Sequence, residues 1–111
     1  MPIAMIASFA DQGTKDIFDT VSIKENISTK AALKTLHRQH WEKAKITLNS
    51  LHAARSLKQI ADIPRLRLHK LTGKLDGWYA VRITYSIRIQ FRFDEQLGAA
   101  YDVQISNHYG D

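Results

Sequence analysis

Halfway along this chain the hydrophobic period changes from helical to strand-like, and that change restricts the fold more than any other feature. Tyr79, Val81 and Ile83 alternate with Trp78, Ala80 and Arg82. Ile87, Ile89, Phe91 and Phe93 alternate with Arg88, Gln90 and Arg92, and Tyr101, Val103 and Ile105 alternate with Asp102, Gln104 and Ser106. A period of two places every second side chain on one face, so each run reads as a strand with one apolar side. Three half-buried antiparallel strands are expected, with tight connections at residues 84–86 and 95–98. Residues 66–71 are a candidate fourth strand, and residues 3–9 a short N-terminal one.

The intervening segments have the helical period. Trp41, Ala44, Leu48 and Leu51 recur at steps of three, four and three, which forms one apolar helix face within a helical region at residues 29–54. Leu33 and Leu36 lie on a similar face upstream, so this is either one long helix or two joined near Gln39. Thr14 or Asp16 can cap a short helix through Ile17, Phe18 and Val21. Ser56 can cap another carrying Leu57 and Ile60, which Pro64 ends by forcing its predecessor out of helical geometry. With 111 residues there is material for one core. The expectation is a single α+β domain over residues 1–111, in which an N-terminal strand and helices pack on a curled antiparallel sheet of about four to five strands.

Composition narrows the chemistry. Sixteen Lys and Arg against eleven Asp and Glu give a net charge of +5, which favours a polyanionic partner without selecting one. There is no cysteine, which excludes disulfides, iron–sulfur clusters and thiolate zinc sites. His37 and His40 are three apart on a helical stretch but lack further ligands at suitable spacing, so neither a metal nor another cofactor is expected. The sequence holds no GxGxxG, P-loop, GxSxG or HExxH motif, leaving dinucleotide binding, nucleotide hydrolysis and zincin chemistry unsupported. The longest apolar stretch, residues 1–10, is too short to span a bilayer and has no basic leader, so a cytoplasmic protein with no membrane partner is expected.

The strand alternation also groups the candidate functional residues. If Ile83 and Ile89 face the core, Arg82, Arg88 and Arg92 share the outer face. Like charges on neighbouring strands stand about 5 Å apart and repel unless compensated. Either Asp102 on the next strand or a bound phosphate, whose oxygens match guanidinium forks, can compensate. Directly after the last strand come Asn107, His108 and Tyr109. Histidine can donate or accept a proton near neutrality, arginine can stabilise a crowded phosphorane, and tyrosine can stack on a base or donate a proton. Together these groups are what metal-free RNA cleavage requires, although a solvated sheet face and an exposed tail would use the same residues.

Three segments resemble a known family. They are Leu71-Thr72-Gly73-Lys74-Leu75-Asp76-Gly77-Trp78-Tyr79-Ala80-Val81-Arg82-Ile83, then Ile87-Arg88-Ile89-Gln90-Phe91-Arg92-Phe93, and Ala100-Tyr101-Asp102-Val103-Gln104-Ile105. A glycine loop, an aromatic, an Ile/Val-Arg-Ile/Val strand, a second arginine six residues on and a final Ala-Tyr-x-Val-x-Ile strand resemble the HigB branch of the RelE toxin superfamily. The likeness is specific in the C-terminal half and looser before Leu48.

That resemblance implies a toxin of a type II toxin–antitoxin system. Such toxins enter the ribosomal A site and cut messenger RNA by in-line attack of the 2′-OH, without metal. They pair with an antitoxin, here expected to have a helix-turn-helix domain that also represses the shared operon by binding operator DNA. Arg82 and Arg88 fall on the family's phosphate-stabilising arginines, and His108 or Tyr109 takes the acid–base role. Lys70, Lys74, Arg92 and Asn107 are expected to bind RNA. The family commonly ends its last strand with Asp-Tyr-His, where this chain has Asn107-His108-Tyr109. Asn107 cannot act as a base, so a second expectation stands beside the first. It is a catalytically weak or inactive protein of the same fold, acting by binding antitoxin or ribosome and by operon autoregulation. A plain nucleic-acid-binding module ranks below both, since the basic residues are not interleaved with stacking aromatics.

Overall fold

A computed structural model describes residues 5–19 and 36–106. Their order is β1 (Met5–Ile6), α1 (Gln12–Asp19), α2 (Trp41–Ala53), α3 (Leu57–Ala61), β2 (His69–Lys70), β3 (Tyr79–Arg82), β4 (Arg88–Asp94) and β5 (Ala99–Ser106). The fold is α+β. Four antiparallel strands run β5-β4-β3-β2 across the sheet, and β1 adds to the outer edge of β5 in parallel. The short strand β2 lies within the candidate segment 66–71. No helix among the described residues is long and apolar enough to cross a membrane.

The three predicted alternations become β3, β4 and β5. Val81, Ile89 and Ile105 form one register row across them, and all three are buried. Tyr79 and Phe91, the row beside it, stack with centroids 6.1 Å apart. The helices close this face. Trp41, Ala44, Leu48 and Leu51 of α2 join Ile17 of α1 and Ile60 of α3 in the same cluster as the sheet residues. Each such large side chain stabilises the fold by about 1.5–3 kcal/mol through the apolar area it removes from water.

One continuous helix through Gln39, the first of the two expected arrangements, is not formed, and residues 29–35 lie outside the described residues. Leu36 and His37 are not helical, residues 38–40 form a 3-10 turn, and α2 starts at Trp41. Local bonds explain the break: His37 Nδ1 accepts from the backbone N–H of Gln39 at 3.2 Å, and the Trp41 indole donates to the Leu36 carbonyl at 2.8 Å. Ser56 caps α3 as expected, accepting from Gln59 N–H at 3.1 Å. The cap of α1 is neither Thr14 nor Asp16. Asp11 accepts from Thr14 N–H at 2.7 Å, which frees the fully buried Thr14 hydroxyl to accept from Ile105 N–H at 3.1 Å.

The last alternation is interrupted. Between Gln90 and Arg92 the β4–β5 register shifts, and Asp102 adopts a left-handed φ of 53°. The extra residue is a bulge that reverses the direction of the chain's side chains. Tyr101 therefore pairs with Arg92 on the outer face, whereas Val103 and Ile105 stay in the core.

At the β4–β5 turn Gly98 has φ +65°, and a Cβ built there would lie 2.7 Å from the Arg55 carbonyl oxygen. Gly73 also has positive φ, +67°, but faces open space. Gly98→Ala should therefore lower unfolding free energy by more than Gly73→Ala, for which backbone strain alone costs about 1–2 kcal/mol. Urea unfolding of the two variants checks this, and equal losses would show that the Arg55 carbonyl is free to move aside.

Candidate RNA-binding face

Pairing between β3 and β4 puts Arg82 directly opposite Arg88, and Ser106 of β5 occupies the third position of that row. Directly paired side chains begin about 5 Å apart, and from there the Arg82 guanidinium goes to the Tyr85 ring and that of Arg88 to Gln90. Asp102, one of the two candidate compensations, is held elsewhere. Asp102 is turned by its bulge toward the N-terminal segment, where the Ser8 hydroxyl accepts from Asp102 N–H at 2.9 Å and reaches its carboxylate at 3.5 Å. The side-chain ion pairs found among the described residues, Lys15–Asp19 and Lys58–Asp62, involve neither arginine.

The next row along the sheet is His69, Ala80, Gln90 and Gln104. Gln90 is buried although it lies on the polar face. With its amide oriented so that the oxygen faces the guanidinium, it accepts from Arg88 Nε at 3.0 Å and from Arg88 Nη2 at 2.8 Å. Arg88 thus lies back along the sheet instead of standing into water. The small Ala80, between Gln90 and His69, leaves room for that course.

Arg88 forms one wall of a cleft of about 370 Å³ whose other walls are His69, Lys70, Leu71, Thr72, Lys74 and Leu75. Three cations and no carboxylate line it. The backbone before it is shaped by Arg67, whose left-handed φ of 48° follows the 3-10 turn at Pro64–Leu66. Arg67 then presents its carbonyl to His69 Nδ1 at 3.1 Å. If Nδ1 bears the proton and donates to that carbonyl, Nε2 has a free lone pair.

The predicted site residues therefore divide. Arg82 and Arg88 are opposite one another, and Lys70 and Lys74 line the cleft with Arg88. Arg92 shares the face but not the cluster. Four residues along β4 place it roughly 13 Å from Arg88, and its guanidinium lies 6.0 Å from the Trp78 ring and 5.3 Å from the Tyr101 ring. Asn107, His108 and Tyr109 lie outside the described residues. Two further residues emerge only from the fold. His69, on the edge strand β2, is exposed in the cleft. Gln90, read as one polar position of a strand, holds Arg88. Its place between two arginines in a period-two run was the available signal.

His37 and His40, with ring centroids 6.4 Å apart, meet edge to face. No group of three or more His, Cys, Asp or Glu among the described residues is arranged to hold a metal. Compared with known proteins, the chain matches no family model and no curated protein.

Replacing Gln90 by leucine should preserve the strand yet release the guanidinium. Arg88 Nε–H, protected by its bond in the wild type, should exchange with water faster in Gln90→Leu, as read by NMR on arginine side chains. An unchanged rate would mean that Gln90 does not hold Arg88.

Proposed function

We propose that this chain is a ribosome-dependent endoribonuclease, a toxin of the RelE/HigB kind that cuts messenger RNA in the A site and is neutralised by a helix-turn-helix antitoxin. The observation that bears the reading is the cleft, in which Arg88, Lys70 and Lys74 converge beside a histidine with no acidic residue among its walls. Such a lining suits the RNA backbone, whose phosphates are anionic and well matched by guanidinium forks. The sequence likeness around the glycine loop and the two arginine strands supports the same reading. Its setting would be the cytoplasm, where messages are translated.

The reaction follows from these groups. The 2′-oxygen attacks the adjacent phosphorus as its proton passes to a base, for which the free Nε2 of His69 is suited. Arg88, with Arg82 opposite, stabilises the additional negative charge of the phosphorane. The bond from phosphorus to the 5′-oxygen then breaks, giving a 2′,3′-cyclic phosphate and a 5′-hydroxyl, with the leaving oxygen protonated by His108 or Tyr109. Lys70 and Lys74 neutralise flanking phosphates. The ending Asn107-His108-Tyr109 favours a second reading, a fold that binds ribosome or antitoxin without cutting, because it lacks the acid that the resembled family has there.

Primer extension on a reporter message in purified translating ribosomes separates the two. Discrete new 5′ ends inside codons are expected, with Arg88→Ala reducing the cutting rate by about 100-fold or more. An uncut message in the presence of folded protein leaves the binding reading.

A further inference from the structure

The connection between β3 and β4 holds a feature that the cleft does not explain. Tyr85, at its tip, is 92% exposed. Its mount is stiff. Ile83 N–H and Thr84 N–H both donate to the Ile87 carbonyl, at 2.8 and 3.0 Å, and Ile87 N–H donates back to the Thr84 carbonyl at 3.4 Å. The side chains of Ile83 and Ile87 on either side are buried in the core. A phenol ring is thus held in water on a hairpin anchored at both feet.

The surroundings of that ring are cationic. The Arg82 guanidinium carbon lies 5.8 Å from the ring centroid, and Arg88 is Arg82's direct partner across the strands. With the residue 92% exposed, the guanidinium covers little of the ring, and a broad π-surface stays open. An open aromatic face against the Arg82 guanidinium, which makes no ion pair among the described residues, complements a planar, electron-rich group attached to a phosphate. An unpaired nucleotide has that form: its base stacks on the ring and its phosphate meets the arginines.

We propose that Tyr85 is a stacking platform for an unpaired base of single-stranded RNA, adjoining the nucleotide whose phosphate lies at Arg82 and Arg88. The proposal rests on the reading above that this face receives RNA. It adds a second contact point, on the hairpin tip, which orients the strand across the arginine pair and toward the cleft. Since every base has a π-face, this contact is tolerant of sequence.

The test is fluorescence anisotropy with a short labelled oligoribonucleotide whose 2′-hydroxyls are all methylated, so that binding is read without cleavage. Tyr85→Ala should weaken binding about tenfold, within the range for loss of one stacked base, while Tyr85→Phe restores it. The slope of log affinity against log salt should be unchanged in Tyr85→Ala but smaller by about 0.7 in Arg88→Ala, the loss of one phosphate contact to a single strand. An oligomer with abasic sites throughout should bind wild type and Tyr85→Ala alike. Equal binding of normal RNA by wild type and Tyr85→Ala, no binding by the wild type, or a Tyr85-dependent affinity seen for polyglutamate and not for RNA would each overturn the proposal, the last in favour of an acidic protein partner. The two readings fail separately. Tyr85-dependent RNA binding with no cutting on ribosomes removes the nuclease and leaves the platform. Arg88-dependent cutting with Tyr85→Ala binding like the wild type does the reverse.

Discussion

Everything on the candidate face depends on the register of β4. This strand is paired on both edges, to β3 and to β5. On one side it contributes Ile89 and Phe91, both fully buried, and on the other it presents Arg88 and Gln90. Because strand side chains alternate, a slip of one residue would expose the two apolar side chains and bury a guanidinium. The core thereby enforces the geometry of the candidate face. Arg88 meets Arg82 because Val81 must meet Ile89, and Gln90 reaches Arg88 because both occupy alternate positions of a strand that cannot slide.

The N-terminal segment stabilises the other side of the sheet by supplying hydrogen-bond partners. Ala7 N–H donates to the Ala100 carbonyl, Val103 N–H to the Ser8 carbonyl and Ala10 N–H to the Val103 carbonyl. The Thr14 hydroxyl receives Ile105 N–H, and His52 Nδ1 receives the N–H of Ile6 at 2.9 Å. Buried backbone groups left without partners would each cost about 1–3 kcal/mol, so this strip is required for β5 to sit inside the fold instead of at an edge. It also decides where two charges go. Ser8 draws Asp102 away from the arginines, and the bulge that allows this turns Tyr101 outward to stack with Arg92.

Much of this was legible in the sequence. The three alternating runs, the apolar face Trp41-Ala44-Leu48-Leu51, the Ser56 cap and both hairpin connections are local patterns, and the structure has them where the patterns fall. The α+β class follows from them. What the sequence did not reveal depends on contacts distant along the chain. The bulge at Asp102 answers to Ser8, and the choice between one long helix and a break near Gln39 to hydrogen bonds of a histidine ring and an indole. Thr14 has the residue type of a cap, but its buried role requires Ile105, ninety-one positions away. In the candidate site, Arg82, Arg88, Lys70 and Lys74 could be chosen from alternation and resemblance together. His69 and Gln90 could not, since a cleft wall and a guanidinium rest exist only after β2, β3 and β4 are side by side. Tyr85 is one residue of a turn in the sequence, and its contact with Arg82 exists only in the folded hairpin.

Neither Arg82 nor Arg88 forms an ion pair among the described residues, and their pairing across the strands has a thermodynamic consequence. A folded chain that brings two cations together raises its own free energy, and the unfolded chain, in which they drift apart, does not share that cost. Any anion that occupies the pair binds the folded state and not the unfolded one, so it shifts the folding equilibrium by mass action. Conformational stability and occupancy of the face are therefore linked quantities. Low ionic strength removes screening and strengthens both the repulsion and the attraction for a polyanion. The population of native molecules thus depends on the anionic composition of the surrounding solution as well as on the contacts within the core.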